Sequence, residues 1–200
     1  MKTVSVYKTE KDKTELLAYY DKILQNWPVP YTEKTIETGY GITHIINCGN
    51  KKGRPVLVFH GHGNNSLMWR YNCEDLGRLY NLFLIDTIND PGKSEASVLF
   101  NPDSDYASWI KEFIEKLSFK KVSVIGHSKG GWLALNSAVF LPENIEKIML
   151  LAPAVGINEK LRFRFLMKSM ALGLNTSIKN VCKYFEYITA PGKEINQQYI

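Results

Sequence analysis

The chain has 200 residues, of which 44% are apolar, and a formal net charge of +5. This length and balance fit one globular domain with a hydrophobic core and exclude a disordered tail or a collagen-like repeat. The charge is modest and forms no basic stripe, so no nucleic-acid partner is expected.

The N-terminal quarter of the chain predicts one helix and one hairpin. An apolar stripe recurs every three or four residues and ends before Pro28, which is typical of a helix with one buried face. The stripe comprises Leu16, Leu17, Tyr20, Ile23, Leu24 and Trp27. Residues 34–48, KTIETGYGITHIINC, combine β-branched side chains with a Gly-Tyr-Gly turn, the pattern of two paired strands.

From residue 54 onward, short apolar strands alternate with helical patterns. The strand RPVLVF stops at the glycine-rich loop HGHGNN, and helical periodicity over residues 66–80 precedes the strand LFLID. A polar loop with Pro91 and Gly92 follows, then a helix over residues 106–117, the strand KVSVIG, a helix after Ser128 and the strand IEKIMLLAP. This alternation predicts an α/β fold with a mostly parallel sheet flanked by helices.

The alternation stops after Pro153. The residues that follow look helical and apolar with interspersed basic side chains, and no strand pattern appears before Ile200. We therefore expect a core over residues 1–155 and a separate helical segment over residues 156–200.

The motif that carries chemistry is GHSKG, residues 126–130, between the strand KVSVIG and the next helix. It matches the G-x-S-x-G nucleophile elbow, in which a serine occupies a sharp strand-to-helix turn with its hydroxyl exposed. Side chains at Gly126 and Gly130 would collide with the neighbouring strand and helix. Such a turn can also serve only to join two elements, but its context favours Ser128 as a nucleophile.

Two backbone N–H groups are candidates for an oxyanion hole beside Ser128. The helix after Ser128 begins with unpaired N–H groups and the positive end of its dipole, so the N–H of Lys129 is the first candidate. The second is expected in the loop after RPVLVF, where the glycines of HGHG let the backbone approach a substrate, and we choose the N–H of His62.

The four histidines are weighed next as bases or ligands. His127 fills a variable position of the elbow and His60 begins the glycine-rich loop, so structural roles are expected for both. His44 falls in the hairpin, remote from Ser128 in chain order. His60 and His62 are close in the sequence, but this is not taken as a metal site, because the glycines of their loop are already explained by approach of the backbone to a substrate. No phosphate-binding loop or dinucleotide fingerprint is present, and we predict no metal and no cofactor.

Three segments, FHGHGNNSLMW, LIDTINDPGKS and VIGHSKGGWLALNSAVFLPENIEKIMLLAPA, are together similar to the α/β-hydrolase fold. The chain resembles the carboxylesterase-like bacterial members of that family over nearly its whole length. The resemblance implies a serine hydrolase that acts on carboxylic esters or related acyl compounds through an acyl-enzyme. It also implies a helical cap, so that residues 161–188 would begin a lid over an acyl pocket. The run KLRFRFLMKSMALGL has a second interpretation as a membrane-surface helix.

The sequence departs from the family at the catalytic triad. The family order is Ser, then Asp or Glu, then His, but the chain has no Asp after Asp105 and no His after His127. We expect a truncated hydrolase without the triad acid, the triad histidine and the C-terminal core strands. Its activity would be impaired, because a serine hydroxyl is a weak nucleophile without a base. A sheet edge would stay uncovered, through which copies of the chain could associate.

Three functional hypotheses remain open. The first is an esterase, and thioesterases, lactonases and carbon–carbon bond hydrolases would use the same groups. The second is a catalytically inactive, hydrolase-like binding module. The third is a non-functional truncation. The missing histidine separates the first hypothesis from the other two.

The expected compartment follows from the cysteines and the N-terminus. Cys48, Cys73 and Cys182 form no C-x-x-C pair and are odd in number, which favours a reducing environment. The opening MKTVSVYKTEKDKTE lacks the apolar core of a signal peptide, and no apolar run reaches the roughly 18 residues of a membrane span. A cytoplasmic chain with no transmembrane segment and a small-molecule ester or acyl substrate is the expectation.

Overall fold

The computed structural model describes residues 5–101, 104–154 and 177–188. The chain separates into two compact units, Met1–Ala154 and Val155–Ile200. In the second unit the described residues form one helix, Ile178–Ile188. The predicted lid over residues 161–188 therefore lies mostly outside the described residues, and its role as a cap stays a prediction.

Among the described residues of the first unit, seven strands form one sheet. They are β1 (Tyr31–Thr38), β2 (Gly41–Gly49), β3 (Arg54–Phe59), β4 (Tyr80–Ile85), β5 (Glu95–Ala96), β6 (Val122–His127) and β7 (Ile145–Leu151). The order across the sheet is β1-β2-β4-β3-β6-β7, and β5 pairs with β2. Strands β4, β3, β6 and β7 run parallel, whereas β2 is antiparallel to β1, β4 and β5. The predicted α/β class with a mostly parallel sheet is confirmed.

Four helices accompany this sheet in the described part of the first unit. They are α1 (Glu10–Leu24), α2 (Cys73–Gly77), α3 (Asp105–Lys116) and α4 (Lys129–Phe140). No helix of the described residues is both long enough and apolar enough to cross a bilayer.

The continuous helix predicted over residues 66–80 is wrong. The segment forms a 3₁₀ turn, Ser66–Trp69, and then the five-residue helix α2. The N–H of Ser66 donates to the carboxylate of Asp86 (2.8 Å), and the side chain of Asn65 accepts from the N–H of Leu67 (3.1 Å). These bonds cap the start of the segment. The N–H groups of Arg70 and Asn72 then donate to the carbonyl oxygens three residues earlier, of Leu67 (3.0 Å) and Trp69 (2.8 Å), so turns replace the helical ladder.

The central strands β3, β4 and β6 are largely buried on both faces, which explains their continuous apolar runs. Alternate side chains point to opposite faces of a strand, so Leu57 and Phe59 of β3 join one core cluster while Val56 and Val58 join the other. The first cluster includes aromatic side chains of α3, and the second includes side chains of α1 and α2. Trp109 of α3 is fully buried, and its indole N–H donates to the hydroxyl of Thr43 (2.7 Å).

Strand β7 ends the sheet, and its outer edge has no partner strand among the described residues. Four consecutive residues of β7 are exposed, including Met149 at 52%. At the end of α4, Val139 and Phe140 are also exposed. Strand β7 thus exposes two apolar side chains, Ile148 and Met149, beside two charged ones, Glu146 and Lys147.

Candidate active site

Ser128 lies in the turn between β6 and α4, with φ 52° and ψ −113°. A positive φ is unfavourable for a residue with a side chain and persists only where the surroundings impose it. The N–H of Ser128 donates to the carbonyl oxygen of Leu151 (2.9 Å), and its own carbonyl accepts from the N–H of Trp132 (3.2 Å) and of Ala154 (3.0 Å). The strained turn is therefore held by α4 and by the end of β7, at the carboxyl ends of the parallel strands.

Three backbones meet beneath Ser128 with no room for a side chain. A Cβ atom on Gly126 would lie 2.0 Å from the carbonyl oxygen of Gly130, and one on Gly130 would lie 2.4 Å from the carbonyl oxygen of Phe59. Both distances are far shorter than any non-bonded contact of a real Cβ. Glycine at these positions lets α4 turn back across β6 and β3.

The loop after β3 runs beside this turn. A Cβ atom on Gly61 would lie 3.5 Å from Cβ of Ser128 and 2.9 Å from Nδ1 of His127. The N–H of Asn64 donates to the carbonyl oxygen of Gly61 (3.2 Å), which closes a four-residue turn, and Gly63 has φ 70° within it. Positive φ at the third residue is the mark of a type II turn and favours glycine. The loop thus presents bare backbone alongside Ser128.

The two predicted oxyanion donors carry N–H groups that are free within the described part of the chain. Neither the N–H of His62 nor that of Lys129 donates to an acceptor there. Lys129 is the first residue of α4, so its N–H has no partner inside the helix. Unpaired N–H groups at this end of the sheet suit a ligand oxygen, and their role in an oxyanion hole stays a prediction.

Asp86, directly after β4, is a buried carboxylate with a full set of partners. Oδ1 accepts from the N–H of Ser66 (2.8 Å) and the hydroxyl of Tyr20 (3.2 Å). Oδ2 accepts from the N–H of Lys93 (2.9 Å) and lies 3.1 Å from Nδ1 of His44. Burial alone would raise the pKa of Asp86, but the hydrogen bonds and the charge of His44 lower it below its usual value. The carboxylate joins the loops after β3 and β4.

His60 links the same two loops through both ring nitrogens. Nδ1 contacts the carbonyl oxygen of Gly61 (2.8 Å), and Nε2 contacts the N–H of Thr87 (2.9 Å). Because a carbonyl only accepts and a backbone N–H only donates, the ring is neutral with its proton on Nδ1. Burial lowers the pKa of His60, which favours this neutral form. His60 has the structural role expected of it and no free nitrogen to serve as a base.

None of the other three histidines is hydrogen-bonded to the Ser128 hydroxyl among the described residues. His44 contacts Asp86 and Glu33 through its two nitrogens, and His62 contacts Asp90 through Nδ1. Nδ1 of His127 is buried without a hydrogen-bond partner among the described residues, and burial lowers the pKa of this ring. Within these residues, no imidazole is hydrogen-bonded to the Ser128 hydroxyl.

Asp90 is the second carboxylate of the site. Its side chain is 1% exposed and pairs with Nζ of Lys129 at 2.7 Å. No role was predicted from the sequence for either Asp86 or Asp90. The available signal was a pair of acidic residues in DTIND, directly after a buried strand and before a Pro-Gly turn. Over the described ranges, no group of three or more His, Cys, Asp or Glu residues is arranged to hold a metal ion.

Comparisons with known proteins agree with one another. A family model described as alpha/beta hydrolase fold matches residues 54–176. The chain is 32% identical over 158 residues to the uncharacterised carboxylesterase Nap of Bacillus subtilis, covering 79% of this chain and 52% of that protein. It is 30% identical over 135 residues to carboxylesterase YbfK of the same organism, covering 68% and 46%. The chain thus spans about half the length of these curated relatives.

One solved structure extends the similarity to three dimensions. The crystal structure of naproxen esterase (carboxylesterase NP) from Bacillus subtilis matches with a TM-score of 0.83 at 27% identity. The match covers 92% of this chain and 63% of that chain.

The close backbone contacts beneath Ser128 predict that one added methyl group at Gly130 strongly destabilises the fold. Gly130→Ala should lower the free energy of unfolding by at least about 3 kcal/mol, because the new Cβ would overlap with the backbone of β3. Gly63→Ala is the matched control, since nothing lies within 4 Å of its Cβ position and only the strain of φ 70° remains. That strain costs about 1–2 kcal/mol. Urea unfolding followed by circular dichroism measures both losses, and equal losses would contradict the steric argument.

The lowered pKa of Asp86 predicts a loss of stability in acid. The unfolded-state pKa is about 4, so the contribution of Asp86 is complete above about pH 5 and is lost as the pH falls through the lower folded-state pKa. Asp86→Asn should be less stable than the wild type at neutral pH and should lose less stability on acidification.

The free energy of unfolding, measured from neutral pH down into acid, checks this expectation. Asp75→Asn is the control, because the side chain of Asp75 is 82% exposed. An acid dependence that is the same in Asp86→Asn as in the wild type would show that another group is responsible.

Proposed function

The chain belongs to the α/β-hydrolase fold family, and from that premise we propose that Ser128 is the nucleophile of a serine hydrolase acting on carboxylic esters. The observation that carries the proposal is the backbone of Ser128, with φ 52° and ψ −113° in the turn between β6 and α4. Strain of this kind is kept where it exposes a reactive side chain. The carboxylesterase names of two relatives support the ester class.

The proposed reaction is acyl transfer in two steps. Oγ of Ser128 attacks the ester carbonyl carbon, its proton passes to a base, and the carbonyl π electrons move onto the oxygen. The N–H groups of His62 and Lys129 stabilise this oxyanion. The ester C–O bond then breaks, the alcohol leaves with a proton, and water hydrolyses the acyl-enzyme.

The 200-residue chain, taken by itself, has no identified base to accept the proton of the Ser128 hydroxyl. Among the residues that the structure describes, no imidazole is hydrogen-bonded to the Ser128 hydroxyl, and no histidine follows His127. Without an imidazole the hydroxyl proton passes to water, so acyl-enzyme formation is slow. The same observation favours the second candidate function, a binding domain that holds an acyl compound without turnover.

Labelling with a fluorophosphonate tests the nucleophile. The oxygen of Ser128 bonds to phosphorus as the phosphorus–fluorine bond breaks, and the hydroxyl proton passes to water. The 200-residue chain should be labelled at least about 100-fold more slowly than a longer Bacillus subtilis relative, because triad members supply most of the rate. Turnover of short p-nitrophenyl esters should be correspondingly weak. Mass spectrometry of the intact chain follows the labelling.

Two variants make the result specific to one hydroxyl. Ser128→Ala should abolish labelling, whereas Ser108→Ala, which removes an exposed serine of α3, should leave it unchanged. Equal labelling of the wild type and Ser128→Ala would reject the esterase proposal and leave the binding domain. Fast, stoichiometric labelling at Ser128 would show that the chain is not impaired.

We further propose that the chain self-associates through the outer edge of β7, which has no partner strand in the part of the chain that the structure describes. Unpaired strand edges with apolar side chains template pairing with other chains. Sedimentation velocity should detect oligomers whose proportion rises with protein concentration, and Met149→Lys should reduce that proportion. Leu79→Lys, at a side chain that is 67% exposed elsewhere on the first unit, is the control. A monomer at every concentration would contradict this proposal.

A further inference from the structure

Asp90 is a buried carboxylate that no step of the proposed reaction uses. It ends a tight turn in which its N–H donates to the carbonyl oxygen of Thr87 (3.1 Å). Asn89 occupies that turn with φ 67°, a conformation that asparagine adopts more readily than most residues. A carboxylate removed from water is unfavourable unless donors surround it. The role of Asp90 can therefore be inferred from the groups that donate hydrogen bonds to its carboxylate.

The partners of Asp90 come from two separate segments. Oδ1 accepts from the N–H of Gly63 (2.9 Å) and lies 3.1 Å from Nδ1 of His62. Oδ2 accepts from Nζ of Lys129 (2.7 Å). His62 and Lys129 are the residues whose backbone N–H groups form the proposed oxyanion hole. One carboxylate thus joins the turn that carries one donor to the residue that carries the other.

The bond to Gly63 restrains a peptide plane that its own turn leaves loose. The turn has one internal backbone hydrogen bond, from Asn64 to Gly61. Glycine has little steric preference for the direction of its peptide, so Gly63 does not fix the plane by itself. Asp90 accepts from the N–H of the peptide that joins His62 to Gly63. This restrains the N–H of His62, which lies one peptide earlier.

The bond to Lys129 restrains the other segment. The side chain of Lys129 is 19% exposed, and its Nζ lies 5.3 Å from the ring centroid of Tyr106. An ammonium group that has left water needs a compensating charge, and among the described side chains its ion pair is with Asp90. The first residue of α4 is therefore held from its side chain as well as from its backbone.

We propose that Asp90 is a positioning residue that fixes the separation and direction of the two oxyanion donors, the N–H groups of His62 and Lys129. The inference rests on the proposed function, since it takes Ser128 as the nucleophile. Oxyanion donors stabilise developing charge when they are already directed at its position, within about 2.7–3.1 Å. Asp90 touches no reacting atom and acts through the two segments that it joins.

A purely structural ion pair between Asp90 and Lys129 is the competing interpretation. It predicts that loss of Asp90 lowers stability but leaves the reactivity of the folded chain unchanged. A positioning role predicts slower reaction within the folded fraction. Fluorophosphonate labelling separates the two, because the phosphonyl oxygen needs the oxyanion donors during the attack. The rate constant kinact then reports on the donors, whereas KI reports on binding of the probe.

The test compares the wild type with Asp90→Ala, Lys129→Met and Asp75→Asn, the last removing an exposed carboxylate as the control. Asp90→Ala should lower kinact by about 100-fold and leave KI within about twofold, after correction for folded protein by circular dichroism. Lys129→Met should lower kinact less, because the bond to Gly63 remains. An unchanged kinact in folded Asp90→Ala overturns the proposal, and so does an equal loss in Asp75→Asn.

Amide hydrogen exchange gives a second readout that requires no reactivity of Ser128. In Asp90→Ala the amide of Gly63 should exchange at least about 10-fold faster, as expected for one lost hydrogen bond, while the amide of Val58 in β3 keeps its rate. No change at Gly63, or equal acceleration at both sites, overturns the positioning role. Where alanine prevents folding, Asp90→Leu, which removes both acceptor oxygens at a similar side-chain size, is used with the same expected directions.

The two proposals fail in different ways. Equal labelling of the wild type and Ser128→Ala rejects the esterase proposal and with it the catalytic purpose of Asp90. The exchange rate of Gly63 still decides whether Asp90 restrains the turn. Normal labelling of Ser128 with an unaffected Asp90→Ala rejects the positioning role alone.

Discussion

The rest of the structure depends on one steric constraint, the contact of three backbones where β6, α4 and β3 meet. Gly130 packs directly on the carbonyl oxygens of Phe59 and His60, and Gly126 packs on Gly130. Without side chains at these two positions, α4 can begin immediately beside β3. That proximity places Ser128 next to the loop after β3 and forces the serine into its strained conformation. Near this contact, the N–H groups of His62 in the loop and of Lys129 at the start of α4 have no acceptor among the described residues.

Besides the glycine contact, buried polar side chains fix the loops around Ser128. The sheet itself is buried in two apolar clusters, which hold the strands but do not determine the paths of the loops. His60, Asp86 and Asp90 each connect the loop after β3 to the loop after β4, and each does so by bonding backbone N–H or C=O groups. Buried charges are tolerated here because nearly every oxygen has its donors. The loops that carry the site are therefore tied to each other by buried hydrogen bonds.

The sequence predicted the sheet and the position of the turn better than it predicted the contacts around the turn. Continuous apolar runs such as VLVF indicated strands buried on both faces, and the glycine spacing placed a turn at Ser128. Helical periodicity over residues 66–80 was misleading, because periodicity reports which side chains are buried and does not distinguish a continuous helix from successive turns such as those closed by the N–H groups of Arg70 and Asn72. Strand β5 is too short to produce a pattern. Asp86 and Asp90 were missed because their partners lie far away in the chain, as Tyr20 does for Asp86.

The order of the strands bears on how the molecule reaches this state. Strands β1 and β2 are joined by two residues and can pair early, whereas Val56 of β3 pairs with Ser123 of β6, across a long intervening segment. The entropy of closing so long a loop must be overcome before the pairing becomes favourable, which makes non-local parallel sheets slow to form. The backbone of Ser128 is held by hydrogen bonds to Leu151 and Ala154, at and beyond the end of β7, so we expect its strained conformation to form only once β6 has docked between β3 and β7. Partly assembled chains should then not hold the serine in this conformation.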